Sequence, residues 1–518
     1  MGNYSNGEYF REATAHDRKL RKLILEKADE NARKLGMDRR EFMASSMGMA
    51  TTLWCIQFAT ACSSDKSTTG SKGNPVDGGS LKDGGLCVPP AAMFDENAAC
   101  TVVGNQGEFI FDVQTHWFSQ ADTVHFPASV EQLFGGLFAS TTEQKYVDDI
   151  FMQSDTTMTV LTAWPGATCP DNEDSSQQPC GLPLSNESMQ KSRDHINQLA
   201  CNTQRVLQHV QILPNDLTGI DKQMEIMNQI YCEKLAYGWK MYPGFASNSI
   251  DPRGTTGYFL TEDKPRKLIE HGLSLGLNRF CVHKGLPIGN FFESTHNYPS
   301  DIGVVANDYK NANFIIYHSA ICAGFDQCDP TFKEGPFDPN DPNPKGTNAL
   351  IKSLLDNNVQ PNSNVYAEVG SALNQIQNDT VQAQHFFGKL MKYVGTDRVV
   401  WGTDCVIYNS PQPFIQWFRA LNIGQDLQSQ YGYPALDDTP EGKTNRAKIF
   451  GLNSAKLYGI DVNAKRCQIN SCTQAMWKQQ LEDELGSGRY MFKAPGGPRT
   501  WAEYTEHSRQ MAKSFRPG

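Results

Sequence analysis

A chain of 518 residues, 39% hydrophobic and 20% charged, has the composition of a globular protein and room for one large folded unit or for two to three ordinary ones. Its net charge of -10 excludes a general affinity for nucleic acid or for anionic membranes, both of which need a basic surface. Acidity by itself names no substrate.

Residues 1–37 form a charged leader with helical character. Residues 38–42 read Asp-Arg-Arg-Glu-Phe, which resembles the twin-arginine export signature, and a moderately apolar stretch runs from Met43 to Ala61. Its Ser, Thr and Gln make it a poor membrane span, and weak hydrophobicity of this kind suits a twin-arginine signal. The stretch ends Ala59-Thr60-Ala61-Cys62. Small residues before a cysteine resemble a lipoprotein cleavage box, with Ala59 where Leu is usual. The expectation is export to the periplasm or cell envelope with a lipid anchor to the membrane at Cys62. A plain signal peptide with a chance cysteine is the alternative. Residues 63–84 are rich in Gly and Ser and read as a flexible tether. The expected division is a signal and lipobox (1–62), a tether and lead-in (63–100), a barrel (101–462) and a C-terminal extension packing on it (463–518). Twin-arginine export carries folded proteins, so the resemblance favours a cofactor loaded before export.

After the tether, short β-branched or aromatic runs alternate with amphipathic ones. Strands are predicted at 108–113, 157–163, 205–212, 237–242, 278–283, 312–318, 364–369 and 398–404. Helices are predicted at 185–202, 222–236, 264–275, 346–358, 372–393 and 410–421. Eight β-then-α units point to an α/β fold with a parallel sheet closed as a (β/α)8 TIM barrel. An open doubly wound sheet is the runner-up, but no GxGxxG follows the first strand.

Polar residues gather at the C-terminal ends of these strands, where barrel enzymes build their sites. The first strand ends Asp112-Val113-Gln114-Thr115-His116, and alternation puts Gln114 and His116 on one face. His283 ends the fifth strand, His318 the sixth and Asp404 the eighth. Imidazole and carboxylate converging from four strands is the donor set of a divalent metal ion. Each histidine alone reads as an ordinary hydrogen-bonded core or surface residue, and Asp404 alone as a helix N-cap. Their joint placement is what argues for a site. His125, His209, His271, His296 and His385 have no such context.

The phrases FDVQTHWF, FCVHKGLP, NFIIYHSA, VVWGTDC and RAKIFGLNSAKLYGI occur in this order between about residues 108 and 460. Together they resemble the amidohydrolase superfamily, especially its amidohydrolase-2 branch of decarboxylases and lactone hydrolases. The resemblance implies one divalent ion, zinc first, with manganese or iron as alternatives. It also implies His116, His283 and Asp404 as metal ligands, with His318 beside them as a catalytic group. Where the family has His-x-His on the first strand this chain has Gln114, a neutral and weaker donor to zinc than imidazole. Lys240, Lys284 and Glu368 are candidate substrate contacts. Lys240 could instead pack, or carry the metal-bridging carboxylation known in two-metal relatives. Asp112 reads as an orienting residue. Such barrels often dimerise, so a homodimer is expected by analogy.

The implied activity is metal-assisted hydrolysis of a small carbonyl or carboxylate substrate, an ester, lactone or amide, with Asp404 as base and His318 at the oxyanion. Nonoxidative decarboxylation of an unsaturated or aromatic acid uses the same residues. A non-catalytic binding lipoprotein with a degenerate site is the third reading, motivated by Gln114. No GxSxG elbow and no HExxH helix is present. Of the 14 cysteines, Cys169/Cys180, Cys322/Cys328, Cys467/Cys472 and Cys87/Cys100 are spaced as disulfide pairs for an oxidising compartment. Cys281 and Cys405, beside site residues, read as small buried hydrophobes. The Pro- and Asp-rich loop 319–346 is expected to wall the pocket.

Overall fold

The computed structural model describes residues 14–61, 84–105, 107–119, 122, 141–166, 182–234, 236–246, 248, 256–286, 294–322, 332–405 and 409–469. Cys62, Cys169, Cys180, Cys328, Cys472, most of the tether and residues 470–518 lie outside these.

Ten strands are described. β1 (Gly85–Leu86) pairs antiparallel with β10 (Leu421–Asn422) as a short ribbon. The others are β2 (Phe111–Thr115), β3 (Met158–Leu161), β4 (Val206–Gln211), β5 (Gly238–Met241), β6 (Arg279–His283), β7 (Asn313–Tyr317), β8 (Val365–Glu368) and β9 (Val399–Val400). They pair in chain order, each parallel to the next. The ring closes where Val113 N donates to Trp401 O at 3.0 Å, Asp404 N to Gln114 O at 2.9 Å and His116 N to Cys405 O at 2.7 Å. All eight fall within or overlap the predicted runs, and the architecture is a (β/α)8 barrel.

Side chains on each strand alternate between two cores. Phe111, Val113, Met158, Val160, Leu207, Cys281, Ile315, Tyr317, Tyr366 and Val400 fill the barrel. Val206, Val210, Trp239, Met241, Phe280, Val282, Phe314, Ile316, Val365 and Ala367 face the surrounding helices. Those helices include Asn186–Leu199, Gly219–Cys232, Asp263–Ser274, Thr347–Asp356, Thr380–Leu390 and Gln412–Ala420. Their starts are written locally: Ser185 caps through Ser188 N, and Asp379 through Gln382 N.

The N-terminal segment is part of this fold. α1 (Ala15–Leu35) opens on a capping box between Thr14 and Asp17 and ends at Gly36 in left-handed backbone. α2 (Arg39–Ala44) and α3 (Ser46–Ala61) follow. Leu20, Ile24, Ala28 and Ala32 of α1 recur every four residues as a buried face, and Asn31 Nδ2 donates to Thr51 Oγ1 at 3.2 Å. Phe42, Ala50, Leu53, Cys55 and Ile56 are fully buried. α3 packs on α4 (Glu96–Val103) and on β1, where Gln57 Oε1 accepts from Leu86 N at 2.8 Å. Residues 85–100, the expected lead-in to the barrel, are built into the protein. Arg39 and Arg40 are exposed. Among the described residues no helix is long and apolar enough to cross a membrane.

Two cysteine expectations need correction. Cys87 and Cys100 are not joined in a disulfide. Cys322 is disulfide-bonded, whereas Cys467 is a free thiol.

Candidate active site

The strand ends bring His116, Gln114, Asp404, His318 and His283 together, all fully buried. Phe111 and Val113 point into the barrel, so strict alternation would send Gln114 and His116 to the opposite face. The β2–β3 register shifts between Asp112 and Thr115, and this irregularity re-aims both side chains to the barrel mouth. His318 follows Tyr317, an inward residue, and would likewise point away. It is turned inward by left-handed backbone: φ is 61° at His318, 51° at Ser319 and 56° at Ala320. Asp404 also has a positive φ, 62°. Such conformations are costly for non-glycine residues and cluster where function demands them.

His116 Nδ1 lies 2.7 Å from Thr162 O. A carbonyl only accepts, so Nδ1 carries the proton and, in the neutral ring, Nε2 holds a lone pair. That Nε2 is 2.8 Å from Asp404 Oδ1 but lacks the alignment of a hydrogen bond. An imidazole nitrogen and a carboxylate oxygen thus face each other in a fully buried site. Asp404 also accepts from Gln114 Nε2 at 3.0 Å and, through Oδ2, from a short bond with Ser371 Oγ. Gln114 Oε1 is buried without a hydrogen-bond partner.

His318 Nδ1 accepts from Ser371 N at 3.1 Å, so its proton belongs on Nε2, which lies 3.5 Å from Gln114 Nε2. Burial pulls the pKa of His318 down to about 3, so its ring is neutral. Burial likewise holds His283 well below the usual histidine range. The His283 ring packs edge-on against His318 at 4.8 Å, with Nε2 3.2 Å from Leu286 O. Trp164 stands edge-on to His116 at 6.3 Å, with Phe118 beyond it.

Glu368 is buried beneath this group. Its carboxyl accepts from His318 N at 2.9 Å and Gly370 N at 2.5 Å, and burial raises its pKa well above the usual range. It anchors the backbone that carries His318. A Cβ at Gly370 would meet Gln114 Oε1 at 2.5 Å and both Glu368 Oε2 and His318 Nδ1 at 2.8 Å. Only glycine lets these three converge.

The lysines behave differently. Lys240 projects inside the barrel, Nζ 3.3 Å from the centre of the Tyr317 ring and 4.4 Å from that of Tyr242. Lys284 is tied to Asp301 and to the carbonyls of His296 and Tyr298. Its ammonium is engaged by these groups inside the protein. Asp112 accepts from Thr403 N and Oγ1 and from Gln114 N, so it splices β2 to the segment after β9.

Three contributors escaped the sequence reading: Thr162, which sets the His116 tautomer, Ser371, which holds both Asp404 and His318, and Gly370. None sits in a recognisable spacing. His209, dismissed there for want of context, is buried between Tyr317 OH (3.0 Å) and Tyr458 OH (2.7 Å) as a structural bridge. Cys281 is also buried, and desolvation pushes its thiol up to about 12. Residues 332–346 lean on helix Thr380–Leu390: Lys389 binds Glu334 Oε2 and Gly335 O, and Glu334 N donates to Gln382 Oε1.

No protein-family model and no curated protein matches the chain. Among solved structures it is similar to 2,6-dihydroxybenzoate decarboxylase from Rhizobium, at 13% identity over 68% of this chain and 99% of that one, TM-score 0.40. It is also similar to amidohydrolase 2 from Bifidobacterium longum subsp. infantis (11%, 68% and 100%, TM-score 0.33). A third likeness is to 4-oxalomesaconate hydratase from Rhodopseudomonas palustris (11%, 73% and 100%, TM-score 0.38). The barrel rests on the strand order and register above, and the chemistry rests on the site's own residues.

Proposed function

We propose that this protein is a hydrolase of small ester, lactone or amide substrates that works with one divalent metal ion at the barrel mouth. The His116–Asp404 contact supports this most. An imidazole nitrogen and a carboxylate oxygen 2.8 Å apart, without hydrogen-bond alignment, are a pair of groups suited to hold a cation. The donor chemistry fits: His116 Nε2, Asp404 and the amide oxygen of Gln114 would hold the ion, with His283 the next imidazole. Among the described residues no group of three or more His, Cys, Asp and Glu is arranged to hold a metal, and the amide oxygen of Gln114 would have to turn to the ion to serve as the third donor. Its harder oxygen admits manganese or iron beside zinc.

When bound, such an ion lowers the pKa of water and polarises a carbonyl. Asp404, held by Ser371 and Gln114, takes the proton of the attacking water. His318, kept neutral by burial, offers Nε2–H to the developing oxyanion. Glu368 and Ser371 fix the His318 backbone and ring. Trp164 and Phe118 exclude water from one side. We further propose that the exposed Arg39 and Arg40 are read for twin-arginine export of the folded full chain.

The experiment is elemental analysis of the full chain supplied with zinc, manganese and iron, beside His116→Ala, followed by a screen of esters, lactones, amides and aromatic acids. About one equivalent of metal, lost in the variant, with ester, lactone or amide turnover, supports the reading. CO2 release from aromatic acids without hydrolysis replaces it by decarboxylation at the same site. Folded protein that takes up no metal and turns over nothing moves it to ligand binding.

A further inference from the structure

We propose that Cys201 and Cys467 are a redox pair that closes into a disulfide and staples the segment after the barrel to the base of β4. Sequence spacing pairs Cys467 with Cys472, but the fold brings a different thiol beside it. Cys201 lies in the turn between helix Asn186–Leu199 and β4, exposed and in left-handed backbone with φ 55°.

The main chain carries Cys467 to that turn. Cys467 N donates to Thr203 Oγ1 at 3.1 Å, and Cys467 O accepts from Arg205 Nη1 at 2.7 Å. Next to it, Arg466 Nε donates to Gln204 O at 3.1 Å. Arg205 is itself tied to Thr157 O at 2.6 Å, so the anchor reaches the start of β3 as well. Beyond the cysteine, Ile469 is buried in the main core and fixes the segment on its other side. These main-chain bonds set the Cys467 side chain beside the turn that carries Cys201, close enough for the two thiols to influence each other. Cys55, Cys281 and Cys405, by contrast, are sealed in the core, away from any soluble oxidant.

The chemistry is thiol–disulfide exchange with an oxidised small-molecule disulfide such as glutathione disulfide. The exposed Cys201 attacks as thiolate, one thiolate of the oxidant leaves, and that leaving group takes up the proton Cys201 lost. Cys467, deprotonated in turn, attacks the Cys201 sulfur of the mixed disulfide and expels the second thiolate, which is protonated. The pair loses two electrons and two protons, and the oxidant becomes two thiols. The staple lies at the N-terminal ends of the strands, opposite the candidate site, so it acts on stability and leaves metal binding alone.

The test uses the full reduced chain and its Cys201→Ser variant, each incubated with glutathione disulfide and digested without reduction for mass spectrometry. A Cys201–Cys467 cross-linked peptide is expected from the wild type only. The oxidised wild type should melt about 5 °C above its reduced form, with no such gain in the variant. Recovery of Cys467 linked to Cys472, or of Cys201 and Cys467 both still alkylatable after oxidation, overturns the proposal. Cys201→Ser sits in an exposed turn, and an unchanged circular dichroism spectrum confirms that folding is intact.

Discussion

Leu53→Ala in the full chain should destabilise the whole protein, because α3 is part of its core. Leu53 is fully buried, as are its neighbours Ala50 and Ile56. α3 is held between α1 and α4 and reaches β1 through Gln57. Truncating a buried leucine removes its transfer free energy and leaves a cavity, together about 2–5 kcal/mol. Against a typical total of about 5–15 kcal/mol, that is a large share. With a urea slope of about 3 kcal/mol/M, the midpoint should fall by roughly 1 M. Leu350→Ala, in helix Thr347–Asp356 and equally buried, is the barrel control. The assay is urea unfolding followed by tryptophan fluorescence and far-ultraviolet circular dichroism. An export signal loosely attached to the barrel would behave as an exposed surface, with Leu53→Ala within about 0.5 kcal/mol of wild type. That outcome, with Leu350→Ala losing its full share, would refute the packing of residues 46–61. Ile56→Ala should reproduce the loss but add to Leu53→Ala less than fully, since the two share one helix face.

At the site, Asp404→Asn and His116→Ala should each abolish retention of a divalent ion on gel filtration, and retention by both variants would sink the donor assignment. Acid should weaken the fold through its buried neutral histidines. Burial lowers His385 to about 4 and holds His209 well below the usual range, so unfolded chains bind protons that folded ones refuse. That stability is fully present above about pH 6.5 and is lost as pH falls towards 4, up to about 3 kcal/mol for His385. His385→Gln should flatten the fall in melting temperature over this window, and an identical slope would contradict the assignment. Lys389→Met leaves the Glu334 carboxylate buried without its cation and should cost about 3–5 kcal/mol in chemical denaturation, partly recovered by adding Glu334→Gln. A loss below about 1 kcal/mol would show that the pair is not sealed from water.

The alternation of apolar runs at 157–163, 205–212, 278–283 and 312–318 was enough to read strands, because inward and outward residues differ little in kind when both faces are covered. His116, His283 and Asp404 were legible because strand-end position implies a common mouth. What sequence could not carry was conformation: the register slip after Asp112 and the positive φ at His318, Ser319 and Asp404 decide which way these side chains turn. Thr162, Gly370 and Ser371 escaped for the same reason. A carbonyl, a missing Cβ and a hydroxyl gain a role only when folding brings another strand's imidazole or carboxylate to them.

Lys284 shows the reverse case. Its place after His283 suggested a substrate contact, yet Asp301, 17 residues on, binds its ammonium. Cys467 likewise neighbours Cys472 in sequence and Cys201 in space. At the N-terminus the residues 43–61 are apolar enough for a signal and for a core helix alike, since hydropathy records what a segment avoids and not what it packs against. Local pattern thus determined the order and type of the eight barrel strands. Tertiary structure alone decided the site's orientation and the packing of residues 15–61, because both depend on contacts between residues hundreds of positions apart.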